Sequence, residues 1–358
     1  QILSNLEHGI FIGSQSTVNI WNNTISSNGT GVTGGEDFSG LLIDGSAMVE
    51  SNIIENNKGG GITVNENRYN TLIRYNKKIN GNREGIMMRG HAAIEYNTIS
   101  NNQEKGIYID TINGISLNTN TMSENRVGVY VQEGAMDISM FNCDLKNNER
   151  GLVTKGQIKV RRSSIENNSI HGILILMPGI DLGQNSPDEA GYNTFRNNVP
   201  VNIKNRTPDT VLAYLNYWDY SDTLAIDSTI LDNDEDMAFG PVLFTPYLSK
   251  DITGLQKFPN KKPLGADNVL FAVHPNPFKY FTNVSFSLEN AALITLRVFD
   301  FRGKEVATLI DRKYYQRGKY SFSWNGTSDS GLLLQSGLYI LVIKADNLIR
   351  TKIVMVSR

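Results

Sequence analysis

The chain has little cysteine, little proline and no long apolar run. Of its 358 residues, one is cysteine and ten are proline. The single cysteine, Cys143, excludes an intrachain disulfide and is expected to be buried. No run of eighteen apolar residues occurs, which excludes a membrane-spanning helix. The repeated part also lacks helical periodicity, so the sequence predicts strands and turns.

Charge is unevenly divided along the chain, whose net charge is -2. Residues 268–358 contain 12 Lys and Arg against 6 Asp and Glu, or +6, and the other residues contain 22 against 30, or -8. The acidic part argues against nucleic acid as a partner. The length predicts two domains. The chain opens within a repeat and without a signal peptide, so we expect a fragment or a processed form.

Glycines that open a short apolar triplet recur along the first half of the chain. They lie 21, 24, 21, 22, 23 and 21 residues apart, at Gly40, Gly61, Gly85, Gly106, Gly128, Gly151 and Gly172. A fixed period near 22 residues is typical of a solenoid. The triplets, such as Ile107–Ile109, alternate with a period of two, which predicts strands.

Two other positions of the repeat are usually asparagine. The first comprises Asn23, Asn52, Asn97, Asn120, Asn142 and Asn193, and the second comprises Asn57, Asn102, Asn125, Asn148, Asn168 and Asn198. Three short strands and three corners per unit predict flat coils that stack into parallel sheets. We expect stacked asparagines to bond along the axis. Asn and Gly are also expected at the corners, where a tight bend needs a positive φ or a side chain that hydrogen-bonds its own backbone.

The pattern resembles the right-handed parallel β-helix repeat of pectate-lyase-like proteins over residues 1–250. This resemblance implies coils over residues 1–205 and a C-terminal cap over residues 206–250. The cap contains Asn216-Tyr-Trp-Asp219, which is similar to the Asn-Tyr-Trp-Gly terminal coil of such proteins, with Asp219 in place of glycine. The family includes carbohydrate enzymes and many non-enzymes, so the fold does not fix the chemistry.

Two insertions interrupt the repeat, between Gly31 and Gly40 and from Met177 to Ala190. Both must leave the stack of coils as loops. Insertions on one face of a solenoid often build its binding site. The sequence does not establish whether these two insertions share a face.

A second domain is expected after a polar, proline-containing linker at residues 251–267. Over residues 268–358, six or seven alternating segments predict an Ig-like antiparallel β-sandwich. The whole chain is therefore predicted to be all-β, with a right-handed parallel β-helix solenoid followed by this sandwich.

Motifs in the second domain resemble a known export module. His274-Pro-Asn-Pro-Phe, Ser336-Gly-Leu-Tyr and the basic strand from Lys352 to Arg358 are similar to the type A C-terminal sorting domain of the Bacteroidetes type IX secretion system. Trp324-Asn-Gly also resembles the Ig-like module of flagellar hook-capping proteins. The resemblance implies that the outer-membrane translocon reads residues 268–358. It also implies a protein that is secreted or attached to the bacterial surface.

Strand alternation predicts an outward strip on the solenoid. Tyr108 and Tyr130 are the middle residues of adjacent triplets, spaced for contact with sugar rings. Two positions further along each coil lies a second outward column: Asp44, Asn65, Arg89, Asp110, Gln132 and Lys155. The two columns predict a strip about 10 Å wide. We expect it to bind extracellular polysaccharide through Tyr108, Tyr130, Asp44, Asn65, Gln132 and Lys155.

The residues of this strip are compatible with a catalytic site and with a surface that only binds. Lyases of this architecture use a base and a cation, whereas glycoside hydrolases use paired carboxylates. Arg89, His91 and Asp110 are the candidates, but Arg89 and Asp110 equally predict a plain surface ion pair. Asp44 and Asp110 are three coils or about 14 Å apart. This separation exceeds the roughly 5–9.5 Å of a hydrolase pair.

No metal site or cofactor is predicted. His8 and His171 lack a second histidine within one coil and are expected to be lone surface residues. Asp232, Asp234 and Asp236 lack the glycine and glutamate of a calcium loop and predict a solvated acidic turn.

Two functions remain open for a protein that is expected to be a monomer. The first is binding or processing of polysaccharide at the cell surface. The second is a structural or adhesive element without a ligand. Copper delivery, known from other β-helix repeats, is disfavoured by the shortage of His, Met and Cys clusters.

Overall fold

The computed structural model describes residues 1–31, 38–65, 71–251, 270–288, 292–300, 304–345 and 348–357. The chain divides into two compact units, Gln1–Lys257 and Phe258–Arg358, which we call the solenoid unit and the sandwich unit. The expected linker lies outside the described residues from residue 252 onward. No described helix is long and apolar enough to cross a membrane.

Three parallel sheets form the wall of the solenoid unit. In the described part, sheet 1 contains Ile2–Leu3, Thr24–Ser26, Ile53–Glu55, Lys78–Asn80, Thr98–Ser100, Thr121–Ser123, Asp144–Lys146, Ser164–Glu166 and Thr194–Arg196. Sheet 2 contains Ile10–Ile12, Leu41–Ile43, Gly60–Val64, Glu84–Met88, Lys105–Ile109, Val127–Val131, Arg150–Thr154, His171–Ile175, Ile203–Asn205 and Ile230–Leu231. Sheet 3 contains Thr17–Trp21, Ser46–Glu50, Thr71–Arg74, Ala92–Glu95, Ser116–Asn118, Ile138–Phe141, Ile158–Arg161 and Ile180–Asp181.

Successive strands of each sheet lie one coil apart and in register. Ile86 pairs with Ile107, and Ile107 pairs with Val129. These inward aliphatic side chains are fully buried in one continuous core. The predicted right-handed parallel β-helix is therefore confirmed. Part of its stability comes from burying these apolar columns along the whole axis.

Two columns of polar side chains run inside the corners on either side of sheet 1. Ladder 1 comprises Asn23, Asn52, Asn76, Asn97, Asn120, Cys143, Ser163, Asn193 and Asn216. Ladder 2 comprises Asn5, Asn28, Asn57, Asn82, Asn102, Asn125, Asn148, Asn168 and Asn198. The backbone N–H of each member donates to the side chain of the next, as from Asn102 to Asn125 Oδ1 at 3.0 Å.

The residue before each ladder member has a positive φ. In ladder 2, Asn101 and Glu124 have φ values of 55° and 58°, and in ladder 1 Tyr96 has 55°. The expectation of positive φ is confirmed for asparagines such as Asn101. It is also confirmed for corner glycines such as Gly81, at 65°, whereas the repeated glycine Gly106 lies within a strand and does not have a positive φ. A Cβ at Gly106 would lie 2.7 Å from the Gly128 oxygen, so glycine is needed there for close approach of the coils.

Cys143 is a member of ladder 1, and the assignment of Asn142 to that ladder is wrong. Asn142 occupies the positive-φ position at 54°. The Cys143 thiol accepts from the Asn120 N–H at 3.5 Å and donates to the Leu117 oxygen at 3.6 Å. Burial raises the pKa of Cys143 to about 12, so the thiol stays protonated and can donate.

The solenoid register continues beyond residue 205. Asn216 accepts from the Asn193 N–H, and Tyr217 pairs with Thr194. Trp218 is fully buried and stacks on Phe195 with ring centroids 4.6 Å apart. The remaining elements are a short helix and two strands, at Thr223–Asp227, Val211–Leu212 and Val242–Leu243. Trp218 thus covers the C-terminal end of the core.

Two antiparallel sheets make up the sandwich unit. Among the described residues, one contains Leu270–His274, Thr282–Leu288 and Gly318–Trp324, and the other contains Glu305–Tyr315, Ala292–Asp300, Gly337–Ala345 and Leu348–Val356. Phe286, Leu341 and Trp324 belong to one shared core. The predicted antiparallel architecture is confirmed.

Substitution of Cys143 tests whether its side chain acts as a hydrogen-bonding member of ladder 1. We expect Cys143→Asn to raise the melting temperature by roughly 2–4 °C, because an amide makes stronger hydrogen bonds than a thiol. Cys143→Ala should lower the free energy of unfolding by about 1–3 kcal/mol, because it removes the acceptor of the buried Asn120 N–H. Thermal unfolding followed by circular dichroism measures both changes. A less stable Cys143→Asn protein would contradict the assignment.

Candidate functional site

The predicted strip lies on the outer face of sheet 2. Tyr108 pairs with Tyr130 across adjacent strands. In the second column, the backbone N–H of Asp110 donates to the Met88 oxygen at 2.9 Å, and that of Gln132 donates to the Ile109 oxygen at 2.8 Å. In the same way, the backbone N–H groups of Asn65 and Lys155 donate to the Ile43 and Val131 oxygens of the preceding coils. The residues of each column therefore lie one coil apart.

The two tyrosines form a tilted pair beneath a lysine. Their ring centroids are 5.7 Å apart, and the planes make an angle of 50°. Lys105 Nζ lies 5.0 Å from the Tyr108 centroid and 5.8 Å from that of Tyr130. The rings therefore do not form one flat platform, and the ammonium group is part of the site.

Glu84 holds this lysine in place. Its Oε1 lies 3.2 Å from Lys105 Nζ, and the residue is only 4% exposed. Neither residue is among the predicted site residues, although each directly precedes a repeated glycine, Gly85 or Gly106. A buried carboxylate requires a cation beside it, and Lys105 meets this requirement.

The Tyr108 hydroxyl remains protonated in this environment. Burial raises the pKa of Tyr108, and the Asp110 carboxylate raises it further. A neutral phenol can donate a hydrogen bond to a ligand oxygen.

Three of the four charged residues of the second column, Asp44, Arg89 and Asp110, have a side-chain partner within that column. Arg89 Nε lies 3.4 Å from Asp110 Oδ2, and Asn65 Nδ2 donates to Asp44 Oδ1 at 2.8 Å. His91 is half-buried, and its backbone oxygen accepts from the Thr71 N–H. The structure thus brings Arg89 and Asp110 together. It places Asp44 three coils from Asp110, as expected.

On both sides of the tyrosines, the outward column of sheet 2 contains a side chain that is buried. Thr63 and Val153, the middle residues of triplets on either side of the tyrosines, are only 5% and 4% exposed. The Thr63 hydroxyl lies 2.6 Å from Ser39 Oγ. Tyr108 and Tyr130 are partly exposed between these two buried positions.

Basic residues follow the tyrosines toward the C-terminal end of sheet 2. In the register of the sheet, Arg150 lies beside His171 on the next strand, and Lys204 lies beside Leu174. Burial lowers the pKa of His171, and the charges of Lys204 and Arg150 lower it further. The imidazole is therefore neutral near pH 7, and its pKa reflects a positive potential at this end.

His8 is likewise not the lone surface histidine that we expected. Its Nδ1 accepts from the Ser39 N–H at 2.9 Å. The imidazole also contacts Phe38 edge-on, with ring centroids 5.1 Å apart. Both interactions are structural, so His8 has a role in packing.

The second insertion lies at sheet 3, away from the strip. Ile180–Asp181 is a strand of that sheet, and Arg161 Nη2 lies 2.7 Å from Asp181 Oδ2. Burial raises the pKa of Asp181, but hydrogen bonds from Arg161 and the Gly183 N–H outweigh burial and lower it. Of the first insertion, residues 32–37 lie outside the described residues.

Within the described residues, no group of three or more His, Cys, Asp or Glu side chains could hold a metal ion. In the acidic turn, Asp232 is 6% exposed and accepts from the N–H groups of Asp234 and Val242. The prediction of a solvated turn is therefore wrong for Asp232, which organises the local backbone.

Comparison with known families agrees with the two units. Residues 280–348 match the family described as FlgD Ig-like domain. A search of curated proteins found no match. Residues 65–216 match the family described as right handed beta helix region, and this segment forms the middle of the solenoid.

Proposed function

We propose that the protein is a secreted surface protein that binds acidic polysaccharide along sheet 2. The Tyr108–Tyr130 pair carries this proposal. Its rings lie one coil apart, with centroids separated by 5.7 Å, on a regular parallel sheet. Successive coils are spaced by about 4.8 Å, so a linear polymer can contact equivalent positions on neighbouring coils.

Charge supports an acidic ligand. Lys105 lies over both rings, and the next coils carry Lys155, Arg150 and Lys204 in outward positions. Carboxylate groups of a polymer that follows the axis from Tyr108 would meet these cations. Their long-range field would also increase the rate of association at low ionic strength.

Binding without turnover agrees best with the contacts of the catalytic candidates. Asp110 is paired with Arg89, and the Glu84 carboxylate is buried against Lys105. If the protein is an enzyme, a lyase or glycoside hydrolase reaction would use Arg89, His91 and Asp110 at this position. Asp44 and Asp110 lie three coils apart, which is too far for the carboxylate pair of a glycoside hydrolase.

We expect Tyr108→Ala and Tyr130→Ala each to weaken binding of hexagalacturonate about tenfold, since an aromatic contact contributes roughly 0.5–1.5 kcal/mol beyond buried area. Tyr220→Ala is the control, because Tyr220 is 47% exposed on the C-terminal cap. Isothermal titration calorimetry measures the affinities. The proposal fails if acidic oligosaccharides do not bind, or if the control weakens binding as much.

We further propose that residues 268–358 direct export through the outer-membrane translocon. The His274-Pro-Asn-Pro-Phe and Ser336-Gly-Leu-Tyr motifs support this, together with the similarity to an Ig-like domain. In a Bacteroidetes host, a chain that ends at residue 267 should remain inside the outer membrane. A periplasmic reporter fused to residues 268–358 should reach the surface or the medium. Unchanged export of the shortened chain would exclude this role.

One observation supports a structural or adhesive function as the alternative. Four charged groups of the strip satisfy one another in two pairs, Arg89–Asp110 and Lys105–Glu84. Under this alternative, exchanging Arg89 and Asp110 leaves every cellular phenotype unchanged.

A further inference from the structure

The outer face of sheet 3 carries an uncharged polar patch around an exposed aromatic ring. On two adjacent coils its residues, which we call the sheet 3 patch, are Ser116, Asn118, Thr119, Ser139, Phe141 and Asn142. Asn118 pairs directly with Phe141, and Ser116 pairs with Ser139. Phe141 is 44% exposed although it lies in the middle of the solenoid.

Hydrogen bonds fix the amides of this patch. Asn142 Nδ2 donates to Thr119 Oγ1 at 3.1 Å, and Thr119 Oγ1 donates to Asn118 Oδ1 at 2.9 Å. Within the described residues, Asn118 Nδ2 and Asn142 Oδ1 have no protein partner. One donor and one acceptor therefore face outward in a fixed arrangement, which reduces the entropy lost when a ligand binds.

A cation–π stack supports the exposed ring. The Arg162 guanidinium carbon lies 5.9 Å from the Phe141 centroid and 5.0 Å from the centroid of Tyr192. Arg162 thus contacts the Phe141 ring of the preceding coil and the Tyr192 ring of the following coil. This arrangement restricts the Phe141 ring and leaves its exposed surface for a ligand.

A carboxylate and two sets of ion pairs lie around the patch. On one side, Glu95 lies directly beside Asn118 on the preceding coil, and beyond it Arg74 lies 3.0 Å from Glu50. On the other side, Lys159 lies 3.2 Å from Glu189, and Arg161 lies 2.7 Å from Asp181. An anionic ligand would be repelled by Glu95 and would have to compete with the ion pairs, whereas an uncharged ligand would not.

The second insertion closes one end of the patch. Glu189 belongs to this insertion and bonds to Lys159 and Arg161, which lie on the coil that follows Phe141. A short ligand can therefore end against the insertion. Solenoids commonly use insertions on one face in this way.

We propose that the sheet 3 patch binds an uncharged oligosaccharide. Phe141 contacts the apolar face of a sugar ring, and the amides and hydroxyls of the patch bond to sugar hydroxyls. An exposed aromatic ring surrounded by oriented neutral polar groups fits a neutral sugar better than an anionic one. This site lies on a different sheet from the Tyr108–Tyr130 pair and does not depend on the function proposed for that pair.

Titration of the full chain with cellohexaose, xylohexaose and mannohexaose tests the proposal. At least one should bind, Phe141→Ala should weaken that binding at least tenfold, and Phe141→Trp should retain it. Phe11→Ala is the matched control, because Phe11 is a 59% exposed phenylalanine on sheet 2. This control and Tyr108→Ala should both leave the neutral ligand's affinity unchanged.

A second substitution tests the proposal independently, in case the Phe141 variants do not fold. Asn118→Asp keeps the size of the side chain but replaces the Nδ2 donor with a charged oxygen, so it should also weaken binding at least tenfold. Melting temperatures establish that each variant is folded. The proposal is overturned if none of the three oligosaccharides binds, or if neither Asn118→Asp nor a folded Phe141→Ala changes the affinity. Loss of binding through Tyr108→Ala alone would assign the neutral sugar to sheet 2.

Discussion

The bond from a backbone N–H to the side-chain oxygen of an asparagine one coil away is the constraint on which the solenoid depends. Asn125 illustrates it: Oδ1 accepts from the N–H and Nδ2 of Asn102, while Nδ2 donates to the Ile99 and Ser123 oxygens. All four bonds lie in a buried corner where water cannot replace them. Because the loss of such bonds is costly, each corner is fixed relative to its neighbours.

These corners determine what the outer surface can present. A positive-φ residue turns the chain, the following ladder member bonds to the next coil, and a glycine such as Gly106 lets the coils approach. Equivalent outward residues then repeat at the spacing of the strands. Regular spacing places Tyr108 over Tyr130 on sheet 2 and Asn118 beside Phe141 on sheet 3. Both candidate glycan surfaces therefore depend on the same buried hydrogen bonds.

Much of the fold was predictable because strand alternation and the glycine period are local properties of the sequence. Tyr108, Tyr130 and the Arg89–Asp110 pair followed from that register. Cys143 and Ser163 were missed as ladder members because they are not asparagine, although each supplies the required polar atom. The burial of Glu84 under Lys105 could not be predicted, since it depends on side-chain packing between coils and not on spacing along one strand.

The most direct measurement is the equilibrium stability of Asn125→Ala relative to Gln103→Ala in urea. Gln103 is exposed on an adjacent coil, whereas Asn125 is 3% exposed within ladder 2. We predict that Asn125→Ala lowers the free energy of unfolding by at least roughly 3 kcal/mol, because it leaves several buried donors and acceptors unpaired. Gln103→Ala should change it by less than about 0.5 kcal/mol. Equal stability of the two variants would contradict a solenoid held together by its asparagine ladders.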